Sequence, residues 1–200
     1  MTIQDDIIHE EILRAALRLY SKSGPSRVTM ENVANATGRS RSSLYYYFKD
    51  RDEIFQAVLE RIAEDVAAEI RVAVTAAANL HDKVYAYCST KIKTSQAWKH
   101  VFSAMDQVMS ADEISKHTKL IDAMHKKLIY LERGILTEIL SADGNGTGRI
   151  PGNAEQDMLA FIITCGIRGI RREIYDYNDP HDAKAAASLL SDMITKWLQP

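Results

Sequence analysis

The chain has 200 residues, of which 46% are hydrophobic and 26% charged, with a formal net charge of −2 and a pI near 6.3. That length suffices for a small head and a body with its own core, and the near-neutral balance argues by itself for no anionic partner. With two cysteines, no signal-peptide pattern and no apolar run of the roughly 17–25 residues a bilayer needs, the expectation is a reducing cytoplasm, no disulfide and no membrane span.

Helical periodicity runs along the whole chain, with no strand pattern and no repeat, which predicts an all-α fold of about nine helices. Ile8, Ile12, Ala15 and Leu19 are spaced three and four apart and form the buried stripe of a first helix. Residues 29–51 then read TMENVANATGRSRSSLYYYFKDR. Thr29 is suited to cap a short helix, and Glu31 favours the positive end of its dipole. Val33 and Ala34 are small and apolar, fit to pack beneath a neighbour. Gly38 stands where that helix must stop, because glycine takes a left-handed cap without steric cost. Ser40 caps a second helix of about seven residues, about 10 Å long at 1.5 Å per residue, enough to lie in one major groove. Leu44 and Phe48 anchor it from beneath. Two short helices around a tight turn, the second rich in Arg, Ser and Tyr, make a helix-turn-helix.

Charge is distributed to match. Between Arg14 and Arg51 eight basic residues face two acidic ones, a local charge of +6, while the first thirteen residues and the remainder carry −4 each. A basic head on an acidic body is the asymmetry of a DNA-binding module joined to a second domain.

Residues 8–59 resemble the TetR-like (TetR/AcrR) family of bacterial transcriptional regulators. The resemblance rests on the first helix with its ILRAALRLYSKSG segment, on the helix-turn-helix, and on the block SLYYYFKDRDEI at residues 43–54. It implies a helix-turn-helix domain over residues 1–52 and a helical ligand-binding and dimerisation domain over 53–200. Carried over by position, it implies that Thr29, Ser40, Tyr45, Tyr46, Lys49 and Arg51 hold phosphates, and that Arg41, Ser42, Ser43 and Tyr47 meet bases. Three positions depart from the family pattern. Arg39 replaces an apolar residue and alters the turn's packing or adds a phosphate contact; Ser42 replaces a common Gly and Arg51 a common Lys. The three tyrosines lie about 100° apart around a helix, so they cannot share one task.

Asp50, with Glu53 as its capping-box partner, is expected to open a long fourth helix. Along it Ile54, Val58, Ile62, Val66, Ile70 and Val74 recur every four residues and tie head to body by one rod. Two less regular helices are predicted between His81 and Met109. Another runs from about Lys119 to Ser141 with a stripe of Ile121, Met124, Leu128, Leu131 and Ile135. Residues 143–152 read as a flexible loop, without the strand before or the Gly-Lys-Ser/Thr after that a phosphate cradle needs. Asn153 with Gln156 is expected to start the next helix, whose apolar centre at residues 158–167 is read as buried in protein. Asp179-Pro180 is expected to open the last helix.

The last two helices carry more apolar and small-residue surface than one neighbour covers, and in the family they pair with the same helices of a second subunit. A homodimer through Gly166, Gly169, Ile170, Ala186, Leu190, Met193 and Trp197 is therefore expected, matched to a palindromic operator in double-stranded DNA. Adaptable side chains in the body (Tyr87, Trp98, Phe102, Met105, Met109, Met124 and Phe161, with Tyr130 beside them) suit a concave ligand site, and family members commonly bind a small, often apolar effector. The competing assignment for each is ordinary core. No catalytic residue, metal site or cofactor is expected: the six histidines never stand four apart, Cys88 and Cys165 read as buried inert thiols, and Glu132, Asp157 and Glu173 read as solvated charges. The function read from the sequence is a DNA-binding regulator, most simply a repressor released by a ligand. The alternatives are an architectural or partner-regulated DNA binder, as in family members that resemble nucleoid-occlusion factors, and a helical enzyme or carrier.

Overall fold

The computed structural model describes residues 3–97, 111–142 and 152–198. Among them are eight α-helices and one 3-10 turn, with no strand. In chain order these are α1 (Ile3–Ser23), the 3-10 turn (Pro25–Arg27), α2 (Met30–Thr37), α3 (Arg41–Tyr47), α4 (Arg51–Thr75), α5 (Leu80–Ala97), α6 (Ala111–Ala142), α7 (Asn153–Asp176) and α8 (Ala183–Leu198). The described residues divide into two compact units, 3–63 with 111–125 and 64–97 with 126–142 and 152–198.

The first unit is built on α1. Ile12, Leu13, Ala15, Ala16 and Tyr20 are buried along one side of it, the spacing a helix needs to cover a single core face. They share the core with Val33 and Ala34 of α2, Leu44 of α3, Phe48 just beyond it and Ile54, Phe55 and Val58 of α4. Tyr20 meets Phe55 edge-to-face with ring centroids 5.4 Å apart, the arrangement the ring quadrupole favours. Ile8 and Leu19, expected in the stripe, are half-buried.

The fourth-helix stripe is buried throughout, from Ile54 and Ile70 at 0% exposure to Val74 at 8%. Each step of four advances about 40° beyond a full turn, so the stripe winds around the rod. The cap differs in detail from the expectation. Asp50 Oδ1 accepts from the amides of Asp52 at 3.0 Å and Glu53 at 2.9 Å, but the Glu53 carboxylate reaches back to the Lys49 amide instead of that of Asp50.

In the second unit α5 packs chiefly on α8 and also on α7, and α7 packs on α8. Val84, Tyr87, Cys88 and Ile92 of α5 are buried, as are Ile135, Leu136 and Ile139 of α6, Ala160, Ile163 and Ile167 of α7, and Ala187 and Ile194 of α8. Ser191 of α8 donates to the His81 carbonyl at 2.8 Å, and His81 Nε2 lies 3.0 Å from Asp192 Oδ1, tying the start of α5 to α8.

Several expectations for the body are corrected. Glu132, read as a solvated charge, is fully buried against Lys91; a carboxylate on the stripe side of α6 goes where the stripe goes. Cys165, read as buried, is exposed, while Cys88 is buried. The apolar centre of α7 is not enclosed within this chain: Met158, Phe161 and Ile162 are 57%, 48% and 53% exposed. The helix α6 starts at Ala111, earlier than expected, because its first turns are polar and show no stripe. Gly152 occupies the cap position of α7, with Glu155 accepting from its amide at 3.2 Å. The final helix begins after Asp182, which accepts from the Ala185 amide at 2.9 Å; Asp179-Pro180 precedes it by a turn whose Asn178 has a φ of +55°. The second helix expected before Met109 and nearly all of the loop expected at 143–152 lie outside the described residues.

Candidate nucleic-acid interface

Local chemistry sets both short helices. Thr29 Oγ1 accepts from the Asn32 amide at 3.2 Å, and Asn32 Oδ1 accepts from the Thr29 amide at 2.9 Å, a reciprocal pair that meets two of the otherwise unbonded donors at the helix start. At the other end Gly38 is left-handed with φ +65°, and the Arg39 amide returns to the Ala34 carbonyl at 3.0 Å. Ser40 Oγ then accepts from the Ser43 amide at 3.1 Å and starts α3. Leu44 at 0% and Phe48 at 3% exposure fix the underside of α3, and Phe48 stacks on His9 of α1 with centroids 4.7 Å apart.

The opposite side of α3 faces outward. Arg41, Ser42, Tyr45 and Tyr46 are exposed, as are Thr29, Ser40 and Lys49 around them; Ser43 is half-buried. Tyr46 is 75% exposed, high for an aromatic ring without a role at the surface. Its ring stands edge-on to Tyr47 at 4.9 Å. Thus a strip of hydroxyls and one guanidinium is presented on the outer side of a capped helix.

Three of the expected contact residues are engaged within the protein. Arg39 Nη2 donates to Glu11 Oε2 at 2.8 Å, the Tyr47 hydroxyl donates to Asp5 Oδ1 at 3.2 Å, and Arg51 Nη1 donates to the Ser26 carbonyl at 3.1 Å. Partial burial and the bond to Asp5 raise the Tyr47 pKa, so it stays a neutral donor. Asp5 and Glu11 are the residues the sequence reading missed. Its only signal for them was the acidity of the first thirteen residues, which gives no hint of which cation each carboxylate meets.

Elsewhere the expected residues fall as follows. Tyr87 is buried in the second unit and Met124 in the first. Phe161 is at the surface with the Arg133 guanidinium 5.5 Å over its ring. Trp98, Phe102, Met105 and Met109 lie outside the described residues. Gly166, Met193 and Trp197 are exposed and Gly169, Ile170, Ala186 and Leu190 half-buried. Among the described residues no group of three or more His, Cys, Asp or Glu could hold a metal ion, and no helix is long and apolar enough to cross a membrane.

Comparison with known proteins bears on the same segment. Residues 12–58 match the family described as "Bacterial regulatory proteins, tetR family". The HTH-type transcriptional regulator AcrR of Shigella flexneri is 37% identical over 51 residues, 26% of this chain and 24% of that protein. The nucleoid occlusion factor SlmA of Haemophilus ducreyi is 40% identical over 52 residues, 26% of each. The chain therefore spans about a quarter of the length of these relatives. Solved structures align over nearly the whole fold. The TetR family repressor AlkX from Dietzia sp. has a TM-score of 0.60 and 23% identity, covering 95% of this chain and 94% of that one. A SmeT–triclosan complex has a TM-score of 0.61 and 20% identity, covering 94% and 89%.

Proposed function

We propose, from the premise that the chain is TetR-like in sequence at its head and in fold over its length, that it is a sequence-specific DNA-binding transcriptional regulator whose body binds a small effector. The observation that carries the reading is α3: a capped seven-residue helix, anchored by Leu44 and Phe48, with Arg41, Ser42 and Tyr46 directed outward. In this reading residues 1–52 are the reading head and residues 53–200 the body. Arg41, Ser42 and Ser43 meet base edges, and Thr29, Ser40, Tyr45, Tyr46 and Lys49 position the head on phosphates. Arg39, Tyr47 and Arg51 join them only by giving up their present partners.

A second copy supplies the matching head for a palindromic operator, with half-sites about 34–36 Å apart or a multiple of that. Support comes from the exposed apolar surface of α7 and α8. Leu189 and Met193 are each 61% exposed and Trp197 45% on α8, and Met158 and Ile162 are 57% and 53% exposed on α7, apolar side chains that a second copy would cover. A Cβ built on Gly166 or Gly169 meets nothing within 4 Å, so neither glycine is needed for packing inside this chain. Both leave room for close approach by a second helix.

Release follows from differential affinity. An effector that binds better to a conformation with wrongly spaced heads shifts the population toward it, and one that binds both equally shifts nothing. The helix α4 is the lever, because it starts within the head and continues into the second unit. The regulator as a repressor is the simplest form of this scheme.

Sites selected from genomic fragments, followed by fluorescence anisotropy at several salt concentrations, test the head. Arg41→Ala is expected to cost about 1–3 kcal/mol and to relax preference at one base position. Uniform weakening across sequences would remove Arg41 from base reading, and no salt-dependent preference for any palindrome would end the proposal. The likeness to a nucleoid occlusion factor favours a second reading, an architectural or partner-regulated DNA binder without a small effector. A thermal-shift screen separates the two: intact DNA binding with no stabilising small molecule supports the second.

A further inference from the structure

A helix of seven residues such as α3 is marginal by itself, so what grips its ends decides how it is presented. At its start Ser40 caps it, and Leu44 is buried beneath it. Its end is gripped from α1. Tyr47 is the last residue of α3, and its hydroxyl donates to Asp5 Oδ1 at 3.2 Å. Phe48, the next residue, stacks on His9 with ring centroids 4.7 Å apart. Asp5 and His9 stand four apart on α1 and therefore on one face. Two successive residues at the end of α3 thus rest on two successive turns of α1. Tyr46 in turn stands edge-on to Tyr47, with centroids 4.9 Å apart and the ring planes at 84°. Tyr46 is 75% exposed, whereas Tyr47 is half-buried.

The tie to α1 separates the tasks of the two tyrosines. A phenol has one proton, and Tyr47 gives its own to Asp5. None is left for a phosphate oxygen, which only accepts, and the neighbouring carboxylate repels a phosphate by like charge. Tyr46 reaches outward from the same support. Its ring is held in the edge-to-face arrangement that aromatic pairs favour, so a fixed Tyr47 limits where the Tyr46 hydroxyl can stand.

We propose that Asp5 is a positioning residue for DNA recognition: through Tyr47 it holds Tyr46 in place at the outer edge of α3, and Tyr47 keeps this tie in the complex instead of meeting a base. This rests on the reading of residues 1–52 as a DNA-binding head. The role needs an acceptor oxygen at position 5 and not a charge. If Asp5 acted by charge alone, every neutral substitution would tighten DNA binding to the same extent. If it acts as an acceptor, an amide in its place serves and a methyl group does not.

Fluorescence anisotropy of the full chain on a site selected from genomic fragments tests this with Asp5→Asn and Asp5→Ala at one salt concentration. Both remove the charge, and only the amide keeps an oxygen to accept from Tyr47. Asp5→Ala is expected to bind about fivefold more weakly than Asp5→Asn, the reach of one hydrogen bond. The difference should vanish in a Tyr47→Phe background, where no hydroxyl is left to tie. It should vanish also in a Tyr46→Ala background, where no ring is left to place. Circular dichroism at the binding temperature reports folding of each variant, since a merely structural tie weakens binding only as helix is lost and does so in every background. Equal affinity of Asp5→Asn and Asp5→Ala overturns the proposal. A difference that persists in either background, or that follows lost helix, overturns it as well. Wild-type protein that binds no site removes the reading of the head itself, whereas wild-type binding without the difference between the two variants removes this inference alone.

Discussion

Arg39 Nη2 lies 2.8 Å from Glu11, whereas Arg41, two residues further on, is exposed at the start of α3. Two guanidiniums that look equivalent in the sequence thus enter the electrostatics of the head differently. Glu11→Gln removes the charge that holds Arg39. It is expected to tighten DNA binding a few-fold and to steepen the dependence of log K on log salt by about 0.9, one added phosphate contact. An unchanged slope would show that Arg39 stays on the turn without that carboxylate. Buried titrating groups give a second expectation. Burial pushes the Cys88 thiol up to about 12 from 9.0, and raises the Tyr20 and Tyr87 phenols far above 10.0. Folded-state pKa values above the unfolded ones mean stability that is full below about pH 9 and lost as the unfolded chain ionises at higher pH. The urea midpoint should therefore fall steadily above pH 9, and less steeply in Tyr87→Phe. Caps such as Thr29, Ser40 and Asp50 were legible because each acts within four residues of itself. The Arg39–Glu11 and Lys91–Glu132 pairs were not, because a charge in one helix carries no mark of the helix it will meet.

At the scale of the elements, the turn between α2 and α3 is set by backbone conformation instead of crowding. Gly38 has a φ of +65°, yet a Cβ there would touch nothing within 4 Å. The cost of a side chain is then purely that of the left-handed region, which Asn tolerates and a β-branched residue does not. Gly38→Asn is expected to fold and bind DNA nearly as the wild type does, while Gly38→Val loses about 1–2 kcal/mol by chemical denaturation. Equal losses for both would point to crowding and contradict the open space at this position. The same logic explains which elements were legible. The fourth helix shows a stripe over its full length, so its extent is legible. The start of α6 is polar and carries no such mark, and Asp179-Pro180 has the form of a helix start a turn before α8 begins. Asp182, a better-placed cap, lay three residues beyond.

For the molecule as a whole, the apolar centre of α7 was legible in the sequence, but what covers it was not, since composition says only that such a surface wants a neighbour. This chain leaves it largely open, and Cys165 offers a way to observe the outcome. It is exposed, and it lies on α7 three residues after Ile162 and four before Gly169, on the side that the proposed dimer buries. Cys88, the other thiol, is buried with its pKa raised, so alkylation of the native protein reports Cys165 alone. If α7 and α8 pair between two copies, the alkylation rate should fall as protein concentration rises through the dimer dissociation constant. Met193→Glu, which places a charge at a 61% exposed position of α8, should restore fast labelling at all concentrations. It should also abolish tight binding to a palindrome while leaving weak half-site binding. A rate independent of concentration, in a protein that nonetheless sediments as a dimer, would place the two-fold contact on another surface and with it a different spacing of the heads.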